Sequence, residues 1–214
     1  MPDLFHLVSW PREQVSEPHA CLVLLHGRGS NEQDLFGLVP ELPKQPLVVS
    51  VRAPFSFPFG GYFWYDLGQQ HHSPDPSTFE ASLTELREFL QGLPGRYPID
   101  PKRLFLLGFS QGALMSGCLT LSQPALVAAT VMLSGYLPAE APFTIDEAGV
   151  AGKPFFQAHG SYDGVLPVVM GRQARMRLEN LKADVEYHEY AMDHQVVMDE
   201  LADLRRWFEA RDVR

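Results

Sequence analysis

One serine lies in a sequence pattern that is typical of nucleophilic catalysis. Ser110 is the centre of Gly108-Phe109-Ser110-Gln111-Gly112, which follows the apolar segment 103–107 and precedes the helix-compatible segment 113–117. Between a strand and a helix, the flanking glycines permit a sharp turn that exposes the serine hydroxyl at the edge of a sheet. The alternative, a glycine-rich turn in which the serine only caps a helix, is disfavoured by this context. We therefore predict that Ser110 is a nucleophile.

A serine hydroxyl needs a general base, and three histidines follow Ser110 in the chain. His159 ends a predicted strand, where hydrogen bonds to nearby backbone groups are the favoured interpretation, and His188 lies in the middle of another strand. His194 lies in the loop between the last predicted strand and the last predicted helix. Because that loop can hold an imidazole above the serine, we predict that His194 is the base.

The acid that orients this base is sought among the aspartates after Ser110, which are Asp146, Asp163, Asp184 and Asp193. In α/β hydrolases the acid lies between the serine and the histidine in the chain. Asp163 has this order and lies in a turn after a predicted buried strand. Asp193 is the rival, but neighbouring side chains in one loop diverge, and the other two fit a solvated surface. We expect Asp163 to orient His194, which takes the proton from Ser110.

Attack of a serine on a carbonyl group also needs hydrogen-bond donors for the negative charge that develops on the carbonyl oxygen. In the α/β-hydrolase arrangement, one donor is the backbone N–H after the nucleophile, here Gln111. The other comes from the loop after an early central strand, which here is the loop 26–31. We assign the second donor to the N–H of Arg28 and interpret His26 as a structural residue that bonds the loop backbone.

Short apolar segments alternate with segments of helical period, and this alternation predicts the elements that position these residues. Strands are predicted at residues 20–25, 47–51, 103–107, 129–133, 155–158 and 185–190. Several are apolar at consecutive positions, as expected of strands buried on both faces of a parallel sheet. One helix is predicted after a capping box in which Ser77 is the N-cap and Glu80 its partner, and others at about 168–181 and 197–208. The alternation implies a doubly wound sheet.

Composition and charge exclude several classes of protein. The chain has 214 residues, of which 45% are hydrophobic and 20% charged, so we expect one globular domain over residues 1–214. The formal net charge of −9 disfavours nucleic acid as a partner. No apolar run is long enough for a membrane span, and the first ten residues lack a secretory pattern. The two cysteines, Cys21 and Cys118, lie in apolar segments, which favours buried thiols and a soluble, cytoplasmic protein.

The segment 54–76 is rich in Phe, Gly, Pro and His and is too long for a plain connector. We predict that Phe57, Phe59 and Trp64 contact the substrate, with Phe57 and Phe59 on a mobile flap over the site. Core packing is the alternative for Trp64. His71-His72 lacks a typical metal-ligand spacing, so we expect no metal, and no cofactor. An exposed apolar rim around residues 57–63 would favour either a homodimer or contact with lipid.

Motifs in collinear order across nearly the whole chain resemble the bacterial phospholipase/carboxylesterase family, which includes the acyl-protein thioesterases. The motifs are Leu24-Leu25-His26-Gly27, Trp64-Tyr65-Asp66, Ile99-Asp100, Gly108-Phe109-Ser110-Gln111-Gly112, His159-Gly160, Asp163 and His194. The resemblance implies a compact α/β-hydrolase fold, with a mostly parallel sheet, helices on both faces and no large cap domain. It also implies a metal-free serine esterase with the same triad and backbone donors. Relatives often carry Leu in place of Arg28, so the family's acyl-chain preferences need not apply.

We therefore predict a serine carboxylesterase that hydrolyses small-molecule esters of short to medium acyl chains through an acyl-serine intermediate. The chain is too short to include a large lid domain, which favours these substrates. An acyl-protein thioesterase or lysophospholipase is the alternative enzyme. A ligand-binding pseudo-hydrolase is the alternative from another class, which a missing triad member would favour.

Overall fold

The computed structural model describes residues 3–58, 60–68, 73–138, 140 and 142–211. Within these residues the strands are β1 (His6–Ser9), β2 (His19–Leu25), β3 (Leu47–Val51), β4 (Phe55–Ser56), β5 (Tyr62–Phe63), β6 (Ile99–Phe109), β7 (Ala129–Leu133), β8 (Pro154–Gly160) and β9 (Asp184–Tyr190). The α-helices are α1 (Gln33–Phe36), α2 (Pro76–Gly92), α3 (Gln111–Ser122), α4 (Glu147–Val150), α5 (Val168–Asn180) and α6 (Met198–Ala210).

Seven of these strands form one sheet in the order β1-β3-β2-β6-β7-β8-β9. β1 pairs antiparallel with β3, and all other neighbours in this sheet are parallel. The parallel strands therefore end at the same edge, where ligands bind in open α/β folds. All six predicted strands are present, and the predicted bounds of β3 and β7 match the structure.

Helices cover both faces of the sheet and explain why its strands are apolar at consecutive positions. Cys21, Val23 and Leu25 of β2 enter one core with α2, α3 and α5. Their neighbours in β2 enter the opposite core, which includes Leu35 of α1 and Leu204 of α6. Since alternate residues of a strand point to opposite faces, both sets must be apolar. The α/β-hydrolase fold with a mostly parallel sheet and helices on both faces is thus confirmed.

The structure corrects one predicted helix start. The N-cap of α2 is Asp75, not Ser77, because the Asp75 carboxylate accepts a hydrogen bond from the Thr78 backbone N–H at 3.0 Å. Pro76 then occupies the first helical position, where its missing N–H costs nothing. Ser77 instead donates its hydroxyl to Asp75.

Both cysteines are free and buried, as predicted. Burial raises the pKa of the Cys21 thiol to about 12 and also raises that of Cys118, so neither is an activated nucleophile. None of the helices in the described ranges is long and apolar enough to cross a membrane.

Candidate active site

Ser110 lies at the turn between β6 and α3, in a backbone conformation that few residues adopt. Its φ is 55° and its ψ is −115°, which places a non-glycine residue at positive φ. The flanking glycines permit this turn: a Cβ at Gly108 would lie 2.1 Å from the Gly112 carbonyl oxygen, and one at Gly112 would lie 1.9 Å from the Leu25 carbonyl oxygen. The sequence pattern around Ser110 therefore reflects close backbone contacts that exclude side chains.

His194 joins Ser110 to Asp163. The His194 Nε2 atom lies 3.0 Å from the Ser110 Oγ atom, and its Nδ1 atom lies 2.7 Å from the Asp163 Oδ2 atom. A carboxylate accepts the Nδ1 proton, so Nε2 carries a lone pair that can accept the hydroxyl proton of Ser110. The His194 side chain is 14% exposed and the Asp163 side chain 0%. The structure thus brings together all three predicted side chains, in the order that proton transfer requires.

The Asp163 carboxylate is held by its own loop. Its Oδ1 atom accepts the backbone N–H groups of Val165 at 2.9 Å and Leu166 at 2.7 Å. These two bonds fix the carboxylate and leave the Oδ2 atom directed at His194. The orientation of the imidazole is therefore set by a group that is itself immobilised.

Asp193 connects the loop that carries Asp163 to the loop that carries His194. Its Oδ1 atom accepts the backbone N–H groups of Gly164 and His194, both at 2.8 Å. Because these N–H groups stabilise the charged form, they lower the pKa of Asp193. Asp193 therefore bonds the backbone and not the imidazole, and nothing in the sequence pattern predicted this role.

The two other histidines after Ser110 make different contacts. His159 is completely buried, and its Nε2 atom donates to the Leu166 carbonyl oxygen at 2.8 Å. The same Nε2 atom lies 3.4 Å from the Asp163 Oδ2 atom. His188 is half-buried in β9, where its ring stacks on Phe156 with the centroids 5.2 Å apart. His159 thus bonds the backbone, as expected, and supports the Asp163 loop from behind.

The loop after β2 contacts the serine turn directly. A Cβ at Gly27 would lie 3.4 Å from the Ser110 Cβ atom. His26 donates from Nδ1 to the Gly27 carbonyl at 2.7 Å and accepts the Ala53 N–H at Nε2 at 3.1 Å, and burial lowers its pKa. His26 is therefore a neutral structural residue of this loop.

The two expected oxyanion donors lie on either side of this contact. Arg28 follows Gly27 in the loop, and Gln111 follows Ser110 at the first position of α3. Within the described part of the chain, neither backbone N–H donates a hydrogen bond to the protein. Both groups are therefore available to a ligand.

A hairpin formed by β4 and β5 supports the same loop. The backbone N–H of Gly29 donates to the Tyr62 carbonyl at 2.8 Å, and the N–H of Tyr62 donates to the Ser30 carbonyl at 2.7 Å. Gly61 has a φ of 79°, and a Cβ there would lie 1.9 Å from the Gly29 carbonyl oxygen. The segment expected to act as a flap thus contains an element fastened to the loop.

Trp64 is a core residue that holds this region together. Its side chain is 0% exposed, and its indole N–H donates to the His26 carbonyl at 2.9 Å. The Gln111 side chain accepts the Trp64 backbone N–H at 3.0 Å and donates to the Tyr65 carbonyl at 2.7 Å. This burial contradicts the predicted substrate contact of Trp64 and agrees with the core-packing alternative. The Gln111 side chain is a structural link between α3 and this segment.

The remaining predicted substrate contacts have different outcomes. Phe57 is half-buried beside the loop, where the guanidinium of Arg28 lies 4.5 Å from its ring centroid. Phe59 lies outside the described residues, as do His71 and His72. The sequence did not indicate the contact between Arg28 and Phe57, because it depends on how the hairpin folds back.

Within the described residues, no group of three or more His, Cys, Asp or Glu side chains is arranged to hold a metal ion. A cavity of about 370 Å³ between α2 and α3 and another of about 600 Å³ near Pro40 and Arg205 do not include Ser110 or His194 in their linings. The triad therefore remains the site with a defined chemical arrangement.

Comparisons with known proteins find relatives along almost the whole chain. Residues 12–211 match the family model of the phospholipase/carboxylesterases. Acyl-protein thioesterase 1 of Saccharomyces cerevisiae is 30% identical over 211 residues, which cover 89% of this chain and 92% of that protein. The crystal structure of esterase PE8 is 26% identical with a TM-score of 0.83, covering 97% of this chain and 98% of the other. The Bacillus cereus carboxylesterase has the same fold, with a TM-score of 0.85 at 24% identity and coverage of 97% and 94%.

Proposed function

Since the chain belongs to the phospholipase/carboxylesterase family, we propose that this hydrolase cleaves carboxylic esters with Ser110 as the nucleophile. His194 acts as general base and acid, and Asp163 orients it. The observation that carries the proposal is the continuous chain of hydrogen bonds, 3.0 Å from Ser110 to His194 and 2.7 Å from His194 to Asp163. A pseudo-hydrolase would have no need of this arrangement.

The first half of the reaction acylates the serine. The Ser110 oxygen attacks the carbonyl carbon while its proton passes to the His194 Nε2 atom. The backbone N–H groups of Arg28 and Gln111 stabilise the oxygen that becomes negative, and each such donor is worth about 3 kcal/mol in the transition state. Collapse of the intermediate breaks the bond to the alcohol, which leaves with the proton from His194.

The second half releases the acid. Water attacks the acyl-serine, and His194 takes its proton as it took that of Ser110. The tetrahedral intermediate uses the same two backbone donors, and its collapse returns the proton to the Ser110 oxygen. The free enzyme is thereby regenerated and the carboxylic acid is released, without a metal or cofactor.

We assign esters of short to medium acyl chains as the substrates. His194 is 14% exposed, so a small ester can reach the imidazole without displacement of a cap. The described residues include no cap domain above the sheet edge. Such an open site offers limited apolar area for a long acyl chain.

Replacing Ser110 tests the proposal. With p-nitrophenyl acetate and butyrate, S110A should lose at least about 1,000-fold in kcat/KM, because the nucleophile is gone. S122A, which changes a serine at the end of the same helix, should retain wild-type activity. A fluorophosphonate should label the wild-type protein at Ser110 and leave S110A unlabelled. Turnover retained by S110A would refute the proposal.

An acyl-protein thioesterase is the second candidate, favoured by the 30% identity to the yeast protein of that name. The triad supports both activities, because an acyl-serine forms equally from an ester and a thioester. Hydrolysis of octanoyl thioesters and oxygen esters of matched alcohols distinguishes them. The thioesterase would be favoured if the ratio of kcat/KM for the thioester to that for the oxygen ester exceeded the ratio of their uncatalysed hydrolysis rates.

A further inference from the structure

The loop 26–31 contains one arginine, Arg28, for which the described residues provide no acidic partner. Arg28 is exposed, and within the described residues its guanidinium makes no ion pair and donates no hydrogen bond. Other arginines of this chain do have acceptors: Arg52 binds Glu32 through two bonds, and Arg172 binds Glu189 in the same way. The donors of Arg28 are therefore available, in a chain whose net charge is −9.

The guanidinium is nevertheless positioned. It lies 4.5 Å from the centroid of the Phe57 ring, which is a favourable cation–π distance. Phe57 belongs to the hairpin end, where its N–H donates to the Gly61 carbonyl at 2.8 Å. Because Tyr62 of the hairpin bonds the loop through both its backbone N–H and its carbonyl, the aromatic support and the arginine are held by the same contacts. Stacking on a ring leaves the N–H edge of a guanidinium free for a planar acceptor.

The order of the strands places Arg28 on one side of the serine. Ser110 follows β6, Arg28 follows the neighbouring β2, and Asp163 follows β8 on the opposite side of β6. His194 follows β9, at the far end on that side. Since His194 must protonate the departing alcohol, the alcohol faces β8 and β9. The carbonyl oxygen meets the backbone donors of Arg28 and Gln111, and we place the acyl chain on the side away from the alcohol, which is the β2 side that carries the Arg28 side chain.

The charge of Arg28 also acts inside the site. Burial raises the pKa of Tyr65 well above its ordinary value, and the nearby Arg28 opposes this rise. The Tyr65 carbonyl accepts the side-chain N–H of Gln111, beside the serine. Arg28 thus lies close enough for its charge to act on Tyr65, a residue that contacts Gln111.

We propose that the Arg28 guanidinium binds a carboxylate at the end of the substrate's acyl chain, so that half-esters of dicarboxylic acids are preferred substrates. The inference rests on the proposed ester hydrolysis and names the substrate class of the same site. A guanidinium pairs with a carboxylate through two parallel N–H···O bonds, which a neutral acyl chain cannot form. The preference requires the side chain of Arg28, whereas oxyanion stabilisation uses its backbone.

The test compares two esters that differ in one terminal group. Monoethyl adipate ends in a carboxylate where ethyl hexanoate ends in a methyl group, and acid release from both is followed by pH-stat titration. For the wild-type protein, the ratio of kcat/KM for the charged ester to that for the neutral ester is measured at low and high salt. We expect R28Q to lower this ratio about tenfold. R28K should retain part of it, and added salt should weaken it in the wild type.

Controls separate the inference from its alternatives. R87Q changes an arginine on the remote helix α2 and should leave the ratio unchanged. An ester with its carboxylate on the alcohol, such as the hexanoate ester of 4-hydroxybutanoate, should show no dependence on Arg28. A ratio that is the same in R28Q and the wild type, or a larger effect for the alcohol-side carboxylate, would overturn the inference. If the wild type hydrolysed neither ester faster than S110A does, the proposed function would be overturned, and the inference with it.

Discussion

Asp163 is fixed by two backbone N–H groups before it contacts His194, and this detail determines which proton the imidazole carries. The carboxylate Oδ2 atom, 2.7 Å from Nδ1, can only accept, so Nδ1 holds a proton and Nε2 faces Ser110 as a base. An amide in the same place can donate to Nδ1 and favour the opposite tautomer. The catalytic power of His194 should therefore depend on the charge and chemistry of Asp163, not on its shape.

We predict that D163N lowers kcat about 1,000- to 10,000-fold while the protein remains folded, because the imidazole no longer accepts the serine proton. Ester hydrolysis and thermal unfolding measure the two properties on the same preparation. D193N serves as the control, since Asp193 bonds only backbone groups in these loops. Activity of D163N within tenfold of the wild type would contradict the assigned role.

Glu200 is a buried acid outside the site, and it should make the stability of the protein depend on pH. It is 0% exposed, and its Oε1 atom has no hydrogen-bond partner within the described residues. Burial raises its pKa to about 8. Between the ordinary carboxyl range and this value, the folded state binds a proton that the unfolded chain has lost. The free energy of unfolding therefore falls as pH rises through this interval.

Replacing Glu200 by Gln should remove this dependence, because glutamine is neutral at every pH. At pH 8, E200Q should be more stable than the wild type by on the order of 1–3 kcal/mol, and at pH 5 the two should be similar. Urea unfolding at both pH values gives the comparison, with E209Q on the exposed face of α6 as the control. An equal difference at pH 5 and pH 8 would show that burial of Glu200 does not have this effect.

At the scale of elements, the site depends on how closely α3 approaches β2. Gly112 lies in the first turn of α3 against the carbonyl oxygen of Leu25, and it lets the helix start reach the loop that carries Arg28. The two proposed oxyanion donors are on these two elements. Their separation is therefore set by one backbone contact that a side chain would prevent.

We predict that G112A damages both stability and activity. A Cβ at this position would lie 1.9 Å from the Leu25 carbonyl oxygen, so α3 must move away from β2. Such overpacking costs about 1–3 kcal/mol and would separate the Gln111 N–H from the Arg28 N–H. Thermal unfolding and ester hydrolysis report the two effects. G95A, where a Cβ would have no neighbour within 4 Å, should behave as the wild type. Wild-type activity in G112A would refute the claim that the contact between Gly112 and the Leu25 carbonyl sets the distance between the two proposed oxyanion donors.

The central strands could be predicted from sequence because burial on both faces imposes consecutive apolar residues. β1 was not predicted, since His6–Ser9 is an edge strand with four half-buried residues and no such pattern. The two-residue strands β4 and β5 were also missed, because they are stabilised by bonds to the loop after β2. Local patterns thus predict the sheet, whereas elements stabilised mainly by tertiary contacts require the structure.

The same division holds for the candidate site. The order of Ser110, Asp163 and His194 in the chain, together with their positions in turns and loops after predicted strands, selected these residues. Trp64 was assigned to the substrate although it is buried, because an aromatic residue in a glycine- and proline-rich segment fits either environment. The hydrogen bond from its indole N–H to the His26 carbonyl fixes Trp64 in the core, and it joins residues that are 38 positions apart in the chain.

For the whole molecule, the sheet edge that carries the triad is not covered by a cap domain within the described ranges. The imidazole of His194 is partly exposed to solvent in this state. A site that is already open needs no lipid surface to displace a lid. The rate should therefore depend on dissolved substrate alone.

We predict that hydrolysis of tributyrin saturates with concentration in the ordinary way and shows no increase at the solubility limit. The measurement is pH-stat titration from clear solution into emulsion. Tripropionin, which stays dissolved over a wider range, provides the matched control. A sharp rise in rate when the tributyrin emulsion forms would contradict an open site.

The central claim, that Ser110 forms the acyl intermediate, is tested most directly by trapping that intermediate. The protein is mixed with excess p-nitrophenyl butyrate, quenched in acid during turnover, digested and examined by mass spectrometry. The account predicts a butyryl group on Ser110 in the wild type and none on the corresponding peptide of S110A. A butyryl group on another residue that forms and decays at the turnover rate, with Ser110 unmodified, would contradict it.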